Sequence, residues 1–508
     1  MYREPTRRTV LGGIGAAVGA ATLGTRVVGA EPMAGRFVVN SQTVRKEQLE
    51  EMEVVYDLSD RIGWLVVEGS ESALPRRAMY APDIELELEL PHQEAGPTRE
   101  EVDEEALAAA DPLFYDLQWD KQEQEVREVH EETTGEGVRV GVVDSGILAT
   151  HPDLTVNESL SRNLSGGPIV GDHGTHVAGI IGAAGNGVIG HAPDAELVDI
   201  QVFSGGPAPF SRINAAVVHG TDVGCDVLNL SLGSPPLYPV QKPADEITDE
   251  DDPDGDGPIV PISTGDLGVL SIFTASAGSY AVNNGTLPVA SAGNSSVQMD
   301  EIRDPVYNDV VVLPAEAKGY MTVSATGPIG YGWPGASGSV AGLPVEDPID
   351  TQLPTHEPAF YTNYGPDAVD VSAPGGNADI DALDAGVSGA AYDLVLSATF
   401  QQVGGSLIPS WGWKAGTSMA APQVTGLAAL LAAETPDYSP EEIRERIERT
   451  AEQLPVGRGS ESTAPGADPN EAEDGNYDGD DNEGGDHQRL DSEPYRGEGH
   501  IDTLAALR

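Results

Sequence analysis

Three short segments carry residues able to break an acyl bond. Asp144 ends an apolar run in Val142-Val143-Asp144-Ser145-Gly146, and His173 opens Asp172-His173-Gly174-Thr175-His176-Val177-Ala178-Gly179. Ser418 stands in Gly416-Thr417-Ser418-Met419-Ala420-Ala421-Pro422. A serine oxygen becomes nucleophilic when a neutral imidazole takes its proton. The imidazole in turn needs a carboxylate to hold its tautomer and stabilise the imidazolium. Each segment alone is ordinary, since an Asp after a strand is usually a cap or turn residue and a Ser at a helix start is usually an N-cap. His173 and His176, three apart on one helical face, also raise a metal pair. No Glu completes an H-E-x-x-H pattern and no third ligand is apparent, so zinc is set aside.

The surrounding pattern says what must position these groups. Val138–Val143, Glu196–Val202, Asp226–Leu232 and Leu287–Ala292 read as buried strands, and His173–Ala184 and Gly416–Glu434 as apolar helices. Ser439-Pro440-Glu441-Glu442 is a capping box with proline at the first helical position. Strands interleaved with helices predict an α/β fold, a mostly parallel sheet with helices on both faces. A strand-end Asp and a helix-start His then meet at the carboxyl edge of that sheet. Ser418 at a helix N-terminus gains a dipole that favours a developing oxyanion.

Taken as a set, DSG, HGTHVAG and GTSMAAP resemble the subtilisin-like serine protease family, including secreted enzymes of halophilic archaea. The resemblance covers most of residues 111–508. It implies a serine endopeptidase acting on polypeptides through an acyl-enzyme, with Asp144, His173 and Ser418 as the triad, His176 structural, and no organic cofactor. Val289-Ala290-Ser291-Ala292-Gly293-Asn294 matches the family's oxyanion segment, so Asn294 is expected to donate its amide to the oxyanion. Asn229-Leu230-Ser231-Leu232-Gly233 matches the edge that pairs with substrate. Ser231, Leu232 and Gly233 are thus expected on one wall of the cleft, and Ala292 and Gly293 on the other. Asp153 in His151-Pro152-Asp153-Leu154, and Asp111 in Asp111-Pro112, match calcium ligands of the family. Separately, Asp252-x-Asp254-x-Asp256-Gly257 has the first half of a calcium loop, with Ser263 where the bidentate Glu belongs.

Composition bounds the rest. The 508 residues carry 83 Asp plus Glu against 27 Lys plus Arg, a formal charge of −56. Such a surface repels nucleic acid and anionic membranes. It suits concentrated salt, where a Debye length of ~3 Å at 1 M screens repulsion between carboxylates. The single cysteine, Cys225, excludes an intrachain disulfide and lies in an apolar stretch as a buried thiol.

Residues 1–30 place Arg7-Arg8 before a weakly apolar Gly/Ala stretch ending in Val28-Gly29-Ala30, which resembles a twin-arginine export signal. The expected product is secreted, with no stable membrane insertion once the signal is removed. Residues 31–106 read as a small α+β propeptide, including a charged helix over Val44–Glu53. Residues 107–508 are then the catalytic domain, with acidic insertions at about 241–270 and 457–494. The chain would mature by removing its own propeptide and act at high salt. A narrower reading is a processing protease for one partner precursor, its cleft restricted by the first insertion. A reading of another class is a non-catalytic binding protein on a protease fold, which the intact set of reactive residues disfavours.

Overall fold

The computed structural model describes residues 32–86, 88, 92–99, 102, 112–169, 171–243, 246–247, 259–299, 310–330, 339–340, 343–344, 357–387, 389–452 and 493–508. The twin-arginine segment, most of the Glu100–Ala110 linker, Asp111, Asp252, Asp254, Asp256 and nearly all of the second acidic insertion lie outside them.

The N-terminal region is a β-sheet. Strands β1 (Pro32–Asn40), β2 (Glu53–Leu58), β3 (Trp64–Glu68) and β4 (Tyr80–Leu86) pair antiparallel in the order β2-β3-β1-β4. Alternation along β3 and β1 splits their side chains between two cores, with Trp64, Val66 and Val38 on one face and Leu65, Val67, Phe37 and Val39 on the other. The helix expected over Val44–Glu53 is corrected. The charged stretch over Val44–Glu53 forms only a 3₁₀ turn, Lys46–Leu49, because Glu53 onward is drawn into β2 by pairing with β3. Strand β5 (His92–Thr98) leaves this sheet altogether and joins the C-terminal body.

Next come the short helices α1 (Trp119–Glu123) and α2 (Val126–Val129), then β6 (Arg139–Asp144), β7 (Arg162–Asn163), α3 (His173–Gly182) and β8 (Glu196–Gln201). A two-residue β9 (Ala208–Pro209) leads into α4 (Phe210–Asp222) and β10 (Val227–Leu230). Strand β11 (Leu237–Val240) precedes the first acidic insertion, and β12 (Val260–Ser263), within the 241–270 bounds expected for it, pairs parallel with β11 and runs into α5 (Thr264–Asn283). Then follow β13 (Leu287–Ser291), β14 (Met321–Thr326), the small antiparallel pair β15 (Ser339–Val340) and β16 (Leu343–Pro344), β17 (Val371–Pro374) and α6 (Ile380–Asp384). The long hairpin β18 (Val395–Val403) and β19 (Ser406–Ala415) delivers the chain to α7 (Thr417–Glu434) and α8 (Pro440–Thr450). Two short helices, α9 (Glu493–Arg496) and α10 (Thr503–Leu507), close the body. Between them His500 pairs with Glu452 and Ser372, so the final segment returns to the edge of β17.

The central sheet is seven-stranded in the order β17-β14-β13-β10-β6-β8-β7, and its pairs are parallel. Residues alternate between its faces. Val143, Ile200, Leu228 and Ala290 join α4 and α5, whereas Val142, Leu197, Val227 and Val289 face α3 and α7. This is the α/β sandwich expected from the strand–helix alternation. The Ser439 capping box forms: its hydroxyl accepts the Glu442 N–H, and Glu442 accepts the Ser439 N–H.

The N-terminal sheet docks on α4 and α5. Trp64 packs against Phe273 and donates to Ser276 Oγ at 3.2 Å, and Arg61 pairs with Asp222. Fully buried Asp83 accepts the backbone N–H and the hydroxyl of Ser211, satisfying a donor in the first turn of α4. Burial pushes its carboxyl up to about 6. A carboxyl raised in the folded state is stabilising while neutral, and that contribution is lost as pH rises through about 6. Asp83→Asn, made with Ser418→Ala to keep the chain intact, should flatten this dependence. The stability gap between the two chains should change by up to ~3 kcal/mol from pH 4 to pH 8. Chemical denaturation at fixed salt measures it; parallel curves for the two chains would refute the assignment.

Candidate active site

Asp144 is the last residue of β6, and His173 is the first of α3; both are fully buried. The His173 Nδ1 lies 2.9 Å from both Asp144 oxygens, and the Ser145 N–H donates to Asp144 Oδ1 at 2.6 Å. The Ser145 hydroxyl accepts the Gly174 N–H at 3.0 Å, tying the first turn of α3 to the end of β6. Glycine is required at 174, where a Cβ would sit 2.7 Å from Gly146 O and 3.0 Å from Asp144 Oδ1. With Nδ1–H committed to the carboxylate, Nε2 is the basic nitrogen. It is buried and has no hydrogen-bond partner among the described residues.

Ser418 is the second residue of α7 and nearly buried. Its hydroxyl donates weakly to Ser231 O at 3.3 Å, and its own carbonyl accepts the Ser231 hydroxyl at 2.7 Å. Pro422 explains the second contact. Four residues on from Ser418, it has no N–H to give the serine carbonyl, so a side chain from the end of β10 supplies the donor. Asn229 Nδ2 donates to that Ser231 hydroxyl, and Thr425 of α7 donates to Asn229 Oδ1, each at 2.9 Å. The structure brings Asp144 and His173 together but forms no hydrogen bond between Ser418 Oγ and His173 Nε2.

Asn294 is held by its oxygen. Its Oδ1 accepts both the N–H and the hydroxyl of Thr417 at 2.9 Å, which turns the planar amide's NH₂ the other way. The Thr417 hydroxyl also accepts the Gly293 N–H at 3.1 Å. Gly293 has φ of +98°, and a Cβ there would meet Asn363 Nδ2 at 2.5 Å. Buried Asn363, not foreseen from the sequence, pins this turn by donating to Ala292 O and accepting from Ser295 and Val297 N–H. Nothing local in Thr362-Asn363-Tyr364 marks it. Ser231 and Leu232 follow β10, Gly233 comes next, and Ala292 and Gly293 follow the neighbouring β13. The five expected cleft residues thus lie past the ends of adjacent strands.

A further edge was also missed. Ala208 and Pro209 of β9 pair with Leu86 and Glu85 of β4, so an extended chain already lies along this strand. A two-residue strand among Gly and Pro gives no periodic signal.

The acidic and basic groups nearby are accounted for. His176 Nε2 reaches the carbonyls of Val395 and Gly412 at 3.1 Å, bridging β18 and β19. Burial, then the charges of Lys414 and His173, holds its imidazole well below the ordinary histidine range. It is a neutral brace, and the metal-pair alternative has no geometry here. Asp199 of β8, on the same sheet face as Asp144, accepts the Ile147 N–H. Burial foremost, with a smaller contribution from Asp144, pushes it up to about 7. The Cys225 thiol is pushed up to about 12 by burial, which makes it inert.

The calcium expectation at Asp153 is corrected. Its two oxygens accept the N–H groups of Asn186, Gly187 and Val188, and the Trp411 indole N–H at 2.7 Å. A carboxylate whose lone pairs all face N–H donors does not fit a cation. Among the described residues no group of three or more His, Cys, Asp or Glu is placed to hold a metal ion. Asp111, Asp252, Asp254 and Asp256 lie outside those residues.

Comparison with known proteins agrees with this geometry. Residues 135–485 match the model of the subtilase family, peptidase S8. The chain is 30% identical over 327 residues to Subtilisin BL of Lederbergia lenta, covering 63% of this chain and 86% of that protein. It is equally identical to an alkaline protease of Alkalihalobacillus alcalophilus, of which it spans only 60%. Among solved structures, the epidermin leader peptide processing serine protease of Staphylococcus aureus superposes with a TM-score of 0.59 at 17% identity. That match covers 93% of this chain and 97% of the other. A keratinolytic enzyme related to subtilisin, fervidolysin from Fervidobacterium pennivorans, gives 0.55 at 20% identity, covering 97% of this chain and 64% of that one. With more than half of its length matched by the family model and its reactive residues on the matching fold, the chain belongs to the subtilase family of serine endopeptidases.

Proposed function

We propose that this chain is an exported endopeptidase in which Asp144, His173 and Ser418 act as the triad and Asn294 supplies the oxyanion donor. The observation that carries the reading is the pair of His173 nitrogens. One is bonded to a buried carboxylate, and the other is buried, basic and unpartnered. In this reading His173 Nε2 takes the Ser418 proton as the oxygen attacks the scissile carbonyl carbon. Asp144 stabilises the imidazolium, which then protonates the leaving amine. Asn294 Nδ2 and the first N–H groups of α7 hold the oxyanion. Water repeats the steps to release the acid. Ser231, Leu232 and Gly233 with Ala292 and Gly293 would grip the substrate backbone.

Self-maturation is part of the proposal. Support for it is the pairing of the last residues of β4 with β9, just before α4 of the catalytic body. Export by the twin-arginine route rests on Arg7-Arg8 and its apolar sequel, and function at high salt on the charge of −56. Among the described residues no helix is long and apolar enough to cross a membrane. Calcium at Asp111 and at Asp252, Asp254 and Asp256 completes the reading. Loss of thermal stability on adding a calcium chelator would support it, and unchanged stability would contradict it.

Ser418→Ala should abolish casein hydrolysis, labelling by a fluorophosphonate probe, and removal of the N-terminal region, all assayed in molar salt. Residual labelling would refute the assignment of the nucleophile. Asn294→Ala should leave KM nearly unchanged and lower kcat by ~10²–10³, the loss seen when such a donor is removed from subtilisin. A loss confined to KM would show that the amide binds substrate and not the oxyanion.

A further inference from the structure

The chain makes two antiparallel attachments on either side of Ser418. Upstream, Glu85 and Leu86 pair with Pro209 and Ala208 of β9. Downstream, β5 runs along β19, with Thr98 opposite Ser410, Ala95 opposite Gly412, Glu94 opposite Trp413, Gln93 opposite Lys414 and His92 opposite Ala415. Ala415 lies three residues before Ser418. The sequence pattern assigned residues 31–106 to one unit, yet Leu86 ends the N-terminal sheet and His92 begins a strand of the catalytic body.

The fit of β5 is that of a built strand. Gly96 lies so close to β19 that a Cβ would stand 2.2 Å from Trp411 O and 3.0 Å from the Trp413 ring. Its carbonyl accepts Gln401 Nε2 at 3.0 Å, and Gln93 Oε1 accepts Lys414 Nζ at 2.8 Å. The same ammonium pairs with Asp172, the residue just before His173. Further on, Val102 is buried in the cluster that holds Phe114, Trp411 and Trp413. Removing β5 would bare the backbone edge of β19, uncover Trp413 and expose Val102. Unpaired edges and bared apolar surface both cost free energy.

We infer that β5 is a permanent strand of the mature enzyme: self-processing parts the chain downstream of Leu86 and upstream of Gln93, and the new N-terminus stays on β19. The inference rests on the self-maturation reading above. Hydrolysis consumes one water. The bond between a carbonyl carbon and the next nitrogen breaks, leaving a carboxylate on the N-terminal sheet and an amine at the head of β5. The head of β5 lies opposite Ala415, three residues before Ser418, so β5 flanks the segment leading to that serine. Proteolytic release of the N-terminal sheet therefore frees the β9 edge for substrate and leaves β5 in place.

Intact mass and N-terminal sequencing of the matured full-length chain, produced in molar salt, decide the matter. The expected N-terminus lies between residues 87 and 93; one downstream of Gln93, or an uncut chain whose Ser418 takes the fluorophosphonate label, overturns the inference. Absence of label would instead indict the proposed nucleophile, so the two failures are distinguishable. Gly96→Val should unseat β5 and shift the mature N-terminus past Thr98. A Gly96→Val chain with the wild-type N-terminus and thermal stability would also overturn the inference.

Discussion

A carboxylate with no exposed surface lies against an imidazole with none, and much of this structure follows from the need to satisfy both. Burying a lone charge costs many kcal/mol, so Asp144 persists only because Ser145 N–H and His173 Nδ1 converge on it. The convergence requires α3 to start almost on top of β6, which Gly174 permits and the Ser145 hydroxyl secures. It requires α3 to be buried along its length, and its small residues allow that. Water is thereby excluded from the imidazole, which strengthens its contact with Asp144.

The same rule is applied throughout an unusually acidic chain. Eighty-three carboxylates stand against five lysines, yet two of those lysines, Lys121 and Lys414, are buried. Lys414 pairs with Asp172 at the mouth of α3. Lys121 donates to Ile180 O at the end of α3 and to Gln423 of α7, and contacts His191 and Asp120. Burial pushes its ammonium down to about 8, a price met by that ring of acceptors. Lys121 thus joins two helices, and Lys414 joins β19 to β5 and to the residue before α3.

How much of this could be read in advance depends on range. The placement of Asp144 at a strand end and of His173 and Ser418 at helix starts was legible because a dozen neighbours define each segment. The parallel sheet was legible because its strands are buried on both faces. Val44–Glu53 misled because a charged, helix-favouring composition was overruled by a partner strand, β3, lying beyond it in sequence. Asp153 misled because local matching cannot show what a carboxylate faces; Asn186–Val188 and Trp411 are brought to it from 33 to 258 positions away. Asn363, β9 and the transfer of β5 to β19 are likewise products of long-range pairing, with no local signature.

The hairpin of β18 and β19 shows how the segments carrying Ser418 and His173 are held together although they are far apart in sequence. His176, one turn along the helix from His173, donates to carbonyls on both strands. Ser397 of β18 returns a hydrogen bond to His176 O at 2.7 Å. Trp411 fastens β19 to Asp153 and through it to the loop after α3, while Lys414 fastens it to Asp172 before α3. The strand is therefore gripped at the start, middle and far end of the helix that carries His173, and three residues later the chain reaches Ser418. Neutral His176 is suited to this, because a protonated ring would put a second cation beside Lys414 in a dry site. The second histidine of HGTHVAG is thus part of the device that ties the helix of His173 to the strand leading to Ser418.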